Sequence, residues 1–313
     1  MEKYNLTVVT EFILMGITNR PELQPPLFVL FLIIYLTSLV GNLGMIILTM
    51  VDPRLQTPMY FFLRHLAITD LGYSTDVGPK MLENFITEQN TISFNLCATQ
   101  LAFFLFFIAC ELLILSVMSY DRYVAICKPL LYRVIMSHRI CWVLVALPYL
   151  YSIFVSLIVT INIFSSSFCG YNVISHFYCD GLPLLSLVCS NTHEIELIIL
   201  ILSAVNLISS LLVILVSYML ILIAILRMKS AEGRRKAFST CGSHLTVVTI
   251  FYGTLIFMYV QPKSSHSFDT DKVASIFYTL IIPMLNPLIY SLRNKDVIYA
   301  LRRTGGKVHN IFL

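Results

Sequence analysis

The sequence predicts an all-α membrane protein, a bundle of seven transmembrane helices with a short amphipathic helix at its C-terminus. Of its 313 residues, 58% are hydrophobic and only 12% are charged, whereas about a quarter of the residues in a soluble protein are charged. Seven apolar stretches each approach the roughly 20 residues that a helix needs to cross a bilayer. Basic residues also gather on one side of these stretches, as they do in membrane proteins.

The inner loops between the seven predicted spans are short, and the sequence shows no internal repeat, low-complexity tract or long linker, so the chain is predicted to form a single domain, 1–313. The second span is the weakest, because polar residues interrupt it at Arg64, His65, Asp70 and Asp76. The spans cover approximately Pro26–Met50, Met59–Met81, Cys97–Tyr120, Cys141–Ile163, Leu197–Leu226, Phe238–Val260 and Val273–Leu292.

The distribution of basic residues gives the orientation. Most of the 21 lysines and arginines lie on one side of the spans, among them the run Arg234–Lys236, and the positive-inside rule makes that side cytoplasmic. Residues 1–25 are therefore extracellular, residues 293–313 form a cytoplasmic tail, and we expect a multi-pass protein of the plasma membrane. The net charge of +4 belongs to inner loops that face anionic lipid, so no nucleic-acid partner is expected.

Four of the eight cysteines fall on the extracellular side, where disulfides form. Residue spacing alone leaves all three pairings of Cys97, Cys169, Cys179 and Cys189 open. Zinc binding with nearby histidines is a weaker alternative, because the spacing matches no compact zinc pattern. The triplet Asn5-Leu6-Thr7 on the same side predicts a glycan on Asn5.

The cytoplasmic tail carries an amphipathic pattern. Val297, Ile298 and Leu301 recur at helical spacing among basic residues that include Arg302 and Arg303. This pattern predicts a short helix on the inner membrane leaflet, with lipid as its partner. An unstructured cytosolic tail is the alternative.

Two acids occupy the predicted membrane interior. Asp70 and Glu111 both fall near mid-depth of their spans, with Asn42 and Asn286 at comparable depth. An ionised carboxylate there costs at least a few kcal/mol unless it is neutralised. A bound sodium ion or a proton shared in a hydrogen-bonded network would each serve, and the sequence favours neither. No other cofactor is indicated.

The end of the third span carries a charge pair, Asp121-Arg122, directly after a long apolar run. A proton-coupled transporter would also use paired intramembrane acids, but the repeated halves and broken helices typical of transporters are absent from the sequence, and transport gives the charge pair no task. An intramembrane hydrolase built around His244 lacks a nucleophile motif. We therefore predict that the protein is not an enzyme.

Five short motifs occur in the order seen in one receptor superfamily: Gly41-Asn42, Asp70, Cys97, Asp121-Arg122-Tyr123, and Asn286-Pro287 followed by Tyr290. In this order they resemble the rhodopsin-like G-protein-coupled receptors. Longer stretches are similar to vertebrate odorant (olfactory) receptors, and that similarity covers almost the whole chain. These stretches are PMYFFL (58–63), MSYDRYVAICKPLLY (118–132), KAFSTCGSHL (236–245) and PMLNPLIYSLRN (283–294).

The resemblance implies a receptor that binds a small-molecule odorant from outside and activates a stimulatory olfactory G protein, which raises cyclic AMP. It implies disulfides Cys97–Cys179 and Cys169–Cys189 and a sodium pocket at Asp70 and Glu111. Arg122 is expected to be held by Asp121 at rest and released on activation. The residues of this G-protein switch are Asp121, Arg122, Tyr123, Tyr218 and Tyr290.

The sequence departs from the odorant-receptor pattern at a few positions. Ser119, Gly72 and the pair Arg64-His65 replace more usual residues, and none of them removes a switch residue. Tyr149 stands where rhodopsin-like receptors usually carry tryptophan, so the packing of the fourth span is the part of the resemblance that this departure affects.

One face of span three suits a ligand pocket, because helical spacing brings together Phe104, Leu105, Ile108 and Ala109. Simple helix packing would give the same pattern, and the resemblance to odorant receptors favours the pocket. It adds Leu202, Ser203, Asn206, Tyr252, Leu255, Tyr259, Ile276 and Thr279. This set contains no acid or base, so a small neutral volatile is expected; another rhodopsin-like receptor for an apolar ligand is the alternative.

Overall fold

A computed structural model describes residues 9–18, 20–87, 90–168, 170–260 and 268–309. Asn5 and Cys169 lie outside these residues, so the predicted glycan stays a prediction. The helices are α1 (Gln24–Val51), α2 (Pro58–Ile86), α3 (Phe94–Cys127), α4 (Tyr132–Ile135), α5 (His138–Phe164), α6 (Gly181–Leu185), α7 (His193–Arg227), α8 (Ala231–Val260), α9 (Phe268–Ile276), α10 (Ile282–Arg293) and α11 (Lys295–His309).

Seven helical units form the bundle: α1, α2, α3, α5, α7, α8, and the α9–α10 unit. Within the described part of the chain, five helical stretches are long and apolar enough to cross a membrane, and α8 adds the shorter apolar stretch Cys241–Phe257. These five correspond to the predicted first, third, fourth, fifth and seventh spans. Helix α3 lies at the centre, in contact with α2, α5, α7 and α8.

Helix α2 is long enough to span a bilayer, but its polar residues lower its mean hydropathy. Arg64 and His65 find partners within the protein, whereas Oδ2 of Asp76 is buried without one. The Arg64 guanidinium donates to the Thr49 carbonyl at 2.5 Å and to its hydroxyl at 3.2 Å. His65 Nδ1 lies 3.1 Å from the hydroxyl of Tyr149. Two departures from the odorant-receptor pattern therefore form one polar contact between α2 and α5.

Helix α1 packs tightly against α10. Proline has no backbone N–H, so Pro287 leaves the carbonyl of Pro283 without its helical donor. Asn42 Nδ2 supplies the missing donor at 2.9 Å. A Cβ on Gly41 would lie only 2.9 Å from Cγ of Pro287. The Gly41-Asn42 and Asn286-Pro287 motifs thus form one contact, in which the glycine allows the approach and the asparagine satisfies the backbone.

The sequence predicts a helical seventh span over Val273–Leu292. In the structure this span is not one continuous α-helix. A π-helical turn at Phe277–Ile281 separates α9 from α10. Such turns insert an extra residue into a helix and change the direction of the following side chains. Apolar periodicity over a short window does not reveal this insertion.

A small sheet covers the end of the bundle at which α3 begins, opposite the Asp121-Arg122 pair. Its strands are β1 (Glu11–Leu14), β2 (Thr91–Ser93) and β3 (Val173–Ile174), in the order β2-β1-β3, with β1 antiparallel to β2 and parallel to β3. The sequence did not predict this sheet. Phe12 is fully buried and packs edge-on against Phe168, with ring centroids 5.4 Å apart. The N-terminal segment is therefore part of the fold.

The outer loop between α5 and α7 is tied down covalently. A disulfide joins Cys97 at the start of α3 to Cys179, as the resemblance implied. Cys189 is also disulfide-bonded, and its expected partner lies outside the described residues. The cysteines within spans or at their inner ends are free thiols, as in Cys110 and Cys241.

The tail forms the predicted helix, α11. Val297 and Ala300 are buried against the bundle. Arg303 pairs with Asp52, which lies just after α1. The Asn294 amide donates to the Tyr60 hydroxyl at 2.8 Å. These contacts attach α11 to the inner ends of α1 and α2.

The close approach of α1 to α10 predicts that alanine substitutions at two glycines of α1 differ in their effect on stability. Gly41→Ala should destabilise the protein by about 1 to 3 kcal/mol, because the rigid Pro287 ring cannot make room without moving a helix. Gly44→Ala is the control, since a Cβ there meets no atom within 4 Å. Thermal unfolding of the two purified variants measures this, and equal melting temperatures would contradict the packing described.

Candidate functional site

Three polar groups meet in the centre of the bundle. Asn286 Nδ2 lies 2.9 Å from Oδ2 of Asp70 and 3.5 Å from Oε1 of Glu111. Asp70 and Glu111 are 0% and 1% exposed. The structure thus brings together the two predicted acids and Asn286, while the Asn42 amide is used on Pro283. One amide nitrogen cannot neutralise two carboxylates, so the cluster needs a further positive charge.

The oxygen atoms around this cluster suit a small hard cation. Besides the two carboxylates, Oδ1 of Asn286 belongs to the cluster and is buried without a hydrogen-bond partner. Oδ1 of Asn42 on α1 is also unpartnered, while its amide nitrogen bonds to the Pro283 carbonyl. Hard cations bind carboxylate and amide oxygens. Over the described residues, no group of three or more His, Cys, Asp or Glu side chains comes together as a metal site. The two acids would therefore hold a cation only with help from amide oxygens or water.

The predicted switch residues lie at the inner end. Tyr218 on α7 bonds to Nδ1 of His244 on α8 at 2.6 Å, and the other ring nitrogen of His244 lies 3.1 Å from the Leu115 carbonyl of α3. This chain links three helices. Tyr290 is buried nearby with no partner for its hydroxyl, and Lys128 lies over the Tyr123 ring at 5.8 Å.

The structure does not show the expected resting contact between Asp121 and Arg122. Asp121 accepts a hydrogen bond from the Tyr132 hydroxyl at 2.8 Å, and these two described neighbours form no ion pair with each other. Consecutive helix residues point about 100° apart, so Asp121 faces α4 while Arg122 is buried on another face. The motif places both groups at the helix end but does not give their partners.

The predicted pocket residues fall into one main apolar cluster and its outer edge. Phe104, Tyr252 and Leu255 are buried in the main cluster, with Leu105, Ile108 and Ile276 packed against it. Ala109 is buried and Thr279 is fully buried. Leu202 packs instead against the outer cluster, around the Cys97–Cys179 disulfide. Ser203, beside it, is half-buried, and the Tyr259 side chain lies outside the described residues.

The polar groups along this cluster are neutral. The Tyr252 hydroxyl donates to the Leu112 carbonyl at 3.3 Å, and the Thr279 hydroxyl donates to the Ser275 carbonyl at 2.7 Å. Asn206 is 5% exposed, and its Oδ1 has no partner. A buried oxygen without a donor costs about 1 to 3 kcal/mol. A ligand hydroxyl or a water molecule would satisfy it.

A segment of the outer loop covers the main cluster, and the sequence analysis missed it. The Tyr178 ring lies 4.9 Å from the Phe104 ring, and its hydroxyl lies 3.0 Å from that of Tyr278. His176 Nε2 lies 3.1 Å from the Ser275 hydroxyl. The available signal was the aromatic run before Cys179, whose disulfide anchors this segment to α3.

His176 is almost completely buried within this segment. Burial lowers the pKa of His176 from 6.5 to about 3, and the nearby Lys272 charge adds to the shift. The imidazole is therefore neutral at physiological pH. Its Nδ1 has no hydrogen-bond partner.

Comparison with known proteins gives consistent results over nearly the full length. A family described as "Olfactory receptor" matches residues 31–305. The chain is 75% identical to human olfactory receptor 8K3 over 313 residues, which is 100% of both chains. It is 69% identical to human olfactory receptor 8K1, over 96% of this chain and 94% of that one. It is 60% identical to mouse olfactory receptor 8U3, over 98% and 96%.

A solved structure shows the fold independently. Squid rhodopsin superposes with a TM-score of 0.70, over 92% of this chain and 87% of that one, at 18% sequence identity. The arrangement of seven helices is therefore that of rhodopsin. At this identity the similarity carries the fold and not the ligand.

The burial of neutral His176 predicts an acid-sensitive covering segment. Below pH 6.5 the unfolded chain binds a proton at His176, whereas the folded protein does not do so until about pH 3. The free energy of unfolding should therefore fall as the pH is lowered between these values, by at most about 1.4 kcal/mol per pH unit. His176→Gln keeps a polar group that can reach Ser275 and should lose this contribution.

Melting temperatures of the two proteins at pH 7 and pH 5 measure the effect. Other titrating groups contribute equally to both, so the wild-type protein should lose about 2 kcal/mol more than the variant on acidification. An identical loss in both would mean that His176 is protonated or exposed in the folded receptor.

Proposed function

Because this chain belongs to the olfactory receptor family of rhodopsin-like G-protein-coupled receptors, we propose that it binds a small neutral volatile within the bundle and activates the stimulatory olfactory G protein, which raises cyclic AMP. The protein is a multi-pass membrane receptor and not an enzyme. Family membership also removes the reason to consider a transporter.

The proposal for the ligand rests on Asn206. Its unpartnered Oδ1 is buried on α7, the helix that packs most extensively against α3. Phe104, Tyr252 and Leu255 form an apolar surface in the main cluster, and no predicted pocket residue is charged. A small molecule with one hydrogen-bond donor and an apolar body matches this combination, whereas a buried ammonium ion would meet no carboxylate among those residues.

The inner end supplies a route to the G protein. Tyr218, His244 and the Leu115 carbonyl hold α7, α8 and α3 together. Displacement of the inner end of α8 breaks this chain, frees the Tyr218 hydroxyl and uncovers Arg122. Rigid-body helix movement of this kind is a common form of switching. Tyr218 and Tyr290 then become candidates to stabilise the uncovered guanidinium.

The location follows from charge and family together. Basic inner loops favour an extracellular N-terminus, which makes Asn5 an acceptor for a glycan and puts the odorant side outside the cell. We place the receptor in the plasma membrane, with α11 against inner-leaflet lipid, because α11 is amphipathic and rich in arginine.

The acid pair supports a second element of the proposal, a bound sodium ion. Asp70 and Glu111 lie around the Asn286 amide, whose own buried oxygen adds a hard ligand. Sodium bound there would neutralise one carboxylate, with the other protonated or solvated. A proton alone is the competing way to neutralise the pair.

A cyclic AMP screen with a panel of volatiles tests the ligand and the pathway. Neutral odorants should give responses and charged amines should not. Asn206→Ala should lower the potency of hydroxyl-bearing agonists about fivefold, since one hydrogen bond contributes about 1 kcal/mol. Ile208→Ala is the control, because Ile208 is exposed on the outer face of the same helix.

Arg122→Ala in the same assay should abolish the cyclic AMP response at normal surface expression. A variant that signals normally would refute the switch, and potent amine agonists without neutral ones would refute the ligand class. Responses that survive without the stimulatory olfactory G protein would overturn the proposed pathway.

If sodium binds at the acid pair, the thermal stability of the receptor should depend on which cation is present. The wild-type melting temperature should be higher in sodium chloride than in choline chloride at equal ionic strength, because binding to the folded state stabilises it. Asp70→Asn should remove the difference. A melting temperature that does not change with sodium but rises on mild acidification would favour a proton, and not sodium, as the group that neutralises the acid pair.

A further inference from the structure

A cavity lies at the edge of the main cluster, at the extracellular end beneath the N-terminal segment. It contains about 300 Å³ of space, part of it open to solvent, with about 20 Å³ accessible to the centre of a water molecule. Its lining residues come from the N-terminal segment, from α1 and α2, and from the outer loop. They are Gly16, Ile17, Thr18, Gln24, Met81, Asn84, Phe85, Asn90 and Phe177.

The cavity contains an unsatisfied amide. Asn84 in the last turn of α2 is 8% exposed, and neither its oxygen nor its nitrogen has a hydrogen-bond partner. The oxygen of Asn90 is also buried without a partner. Each such group costs about 1 to 3 kcal/mol when left unpaired. An occupant that both donates and accepts a hydrogen bond would remove this cost.

The walls are built from ordered parts of the protein. Lys272 donates to the Gly16 carbonyl at 3.0 Å, which holds the N-terminal segment over the cavity. Leu14 donates to the Asn90 carbonyl at 2.7 Å. Phe177, only 1% exposed, forms the side toward the bundle, and its neighbour Tyr178 covers the main cluster. Phe177 and Tyr178 both belong to the main cluster, so the cavity lies at the edge of that cluster.

We propose that this cavity is a second ligand site, which takes the hydroxyl group of a small aliphatic alcohol against the Asn84 amide. A hydroxyl donates to the Asn84 oxygen and accepts from its nitrogen, whereas an ether or a ketone only accepts. The alkyl chain lies along Ile17, Met81 and Phe85, which are apolar. No charged side chain is among the described residues that line the cavity, so the site selects neutral molecules.

The space fits this occupant. A volume of about 20 Å³ for the centre of a water molecule accommodates one hydroxyl or one water, and the alkyl chain extends along the apolar wall toward the part of the cavity that is open to solvent. Water offers the same hydrogen bonds as an alcohol but no apolar contact. The alcohol therefore gains the burial of its chain, at roughly 0.8 kcal/mol for each methylene group removed from water.

Photolabelling of the full-length receptor in lipid nanodiscs tests the site without any G protein, so its failure is distinguishable from failure of the proposed signalling. The probe is a six-carbon primary alcohol with an alkyl diazirine at its fourth carbon, and the matched probe is its methyl ether. The alcohol should label peptides that contain Met81, Phe85 or Phe177 about tenfold more than the ether does, as expected for one lost hydrogen bond.

Asn84→Leu should reduce the labelling of these peptides about tenfold, while the control Asn162→Leu leaves it unchanged. Asn162 is a matched amide, but it bonds to the Ile158 carbonyl of its own helix. Equal labelling of Asn84→Leu and the wild type would overturn the proposal, as would equal labelling by alcohol and ether. Absence of labelling by the alcohol would mean that the cavity holds water only.

Competition in the wild-type receptor covers the case in which Asn84→Leu fails to fold. Unlabelled 1-hexanol should suppress the labelling, and its isomer 1-methoxypentane should require about tenfold higher concentration. Equal competition by the two isomers would overturn the assignment of the hydroxyl to Asn84.

Discussion

Two carboxyl groups around one amide constrain the centre of this receptor. Asp70 on α2 and Glu111 on α3 are both buried, and Asn286 on α10 lies within hydrogen-bond distance of each. In a medium of low dielectric constant two carboxylates this close cannot both stay charged without a cation. The three helices must therefore meet at a fixed depth, and whatever neutralises the pair stabilises that meeting. A ligand or a switch that moves α10 changes the environment of both acids.

The position of Asn286 depends in turn on α1. Pro287 interrupts the hydrogen bonds of α10, and Asn42 repairs the interruption by bonding to the Pro283 carbonyl. Gly41 permits the approach that this bond requires. The π-helical turn just before α10 sets the direction in which Asn286 points. The alignment of the acid pair thus depends on one contact between α1 and α10. Small residues and amides form this contact, because larger side chains would separate the helices.

Sequence patterns predicted the parts of the receptor that depend on composition and on local motifs. Apolar stretches gave the spans, and the motifs placed Asp70, Glu111 and Asn286 at similar depth, which the structure brings together. Other features depend on contacts that no local pattern encodes. Tyr132 takes the place of Arg122 beside Asp121, the π-helical turn divides the last span, and β1 pairs with strands about 80 and 160 residues away. Each requires knowledge of a distant partner.

The covering segment His176–Tyr178 contacts both the main cluster and the outer cavity. Its disulfide at Cys179 ties it to α3, Tyr178 contacts Phe104 and Tyr278 in the main cluster, and Phe177 faces the outer cavity. A molecule that enters the main cluster past this segment must displace its aromatic side chains, because they are buried and packed on both sides. With the ligand site proposed at Asn206, the shape that a ligand presents to Phe177 and Tyr178 would contribute to selectivity before the ligand binds. Selectivity in such a receptor is distributed between entry and binding, and side chains outside the predicted pocket take part in it.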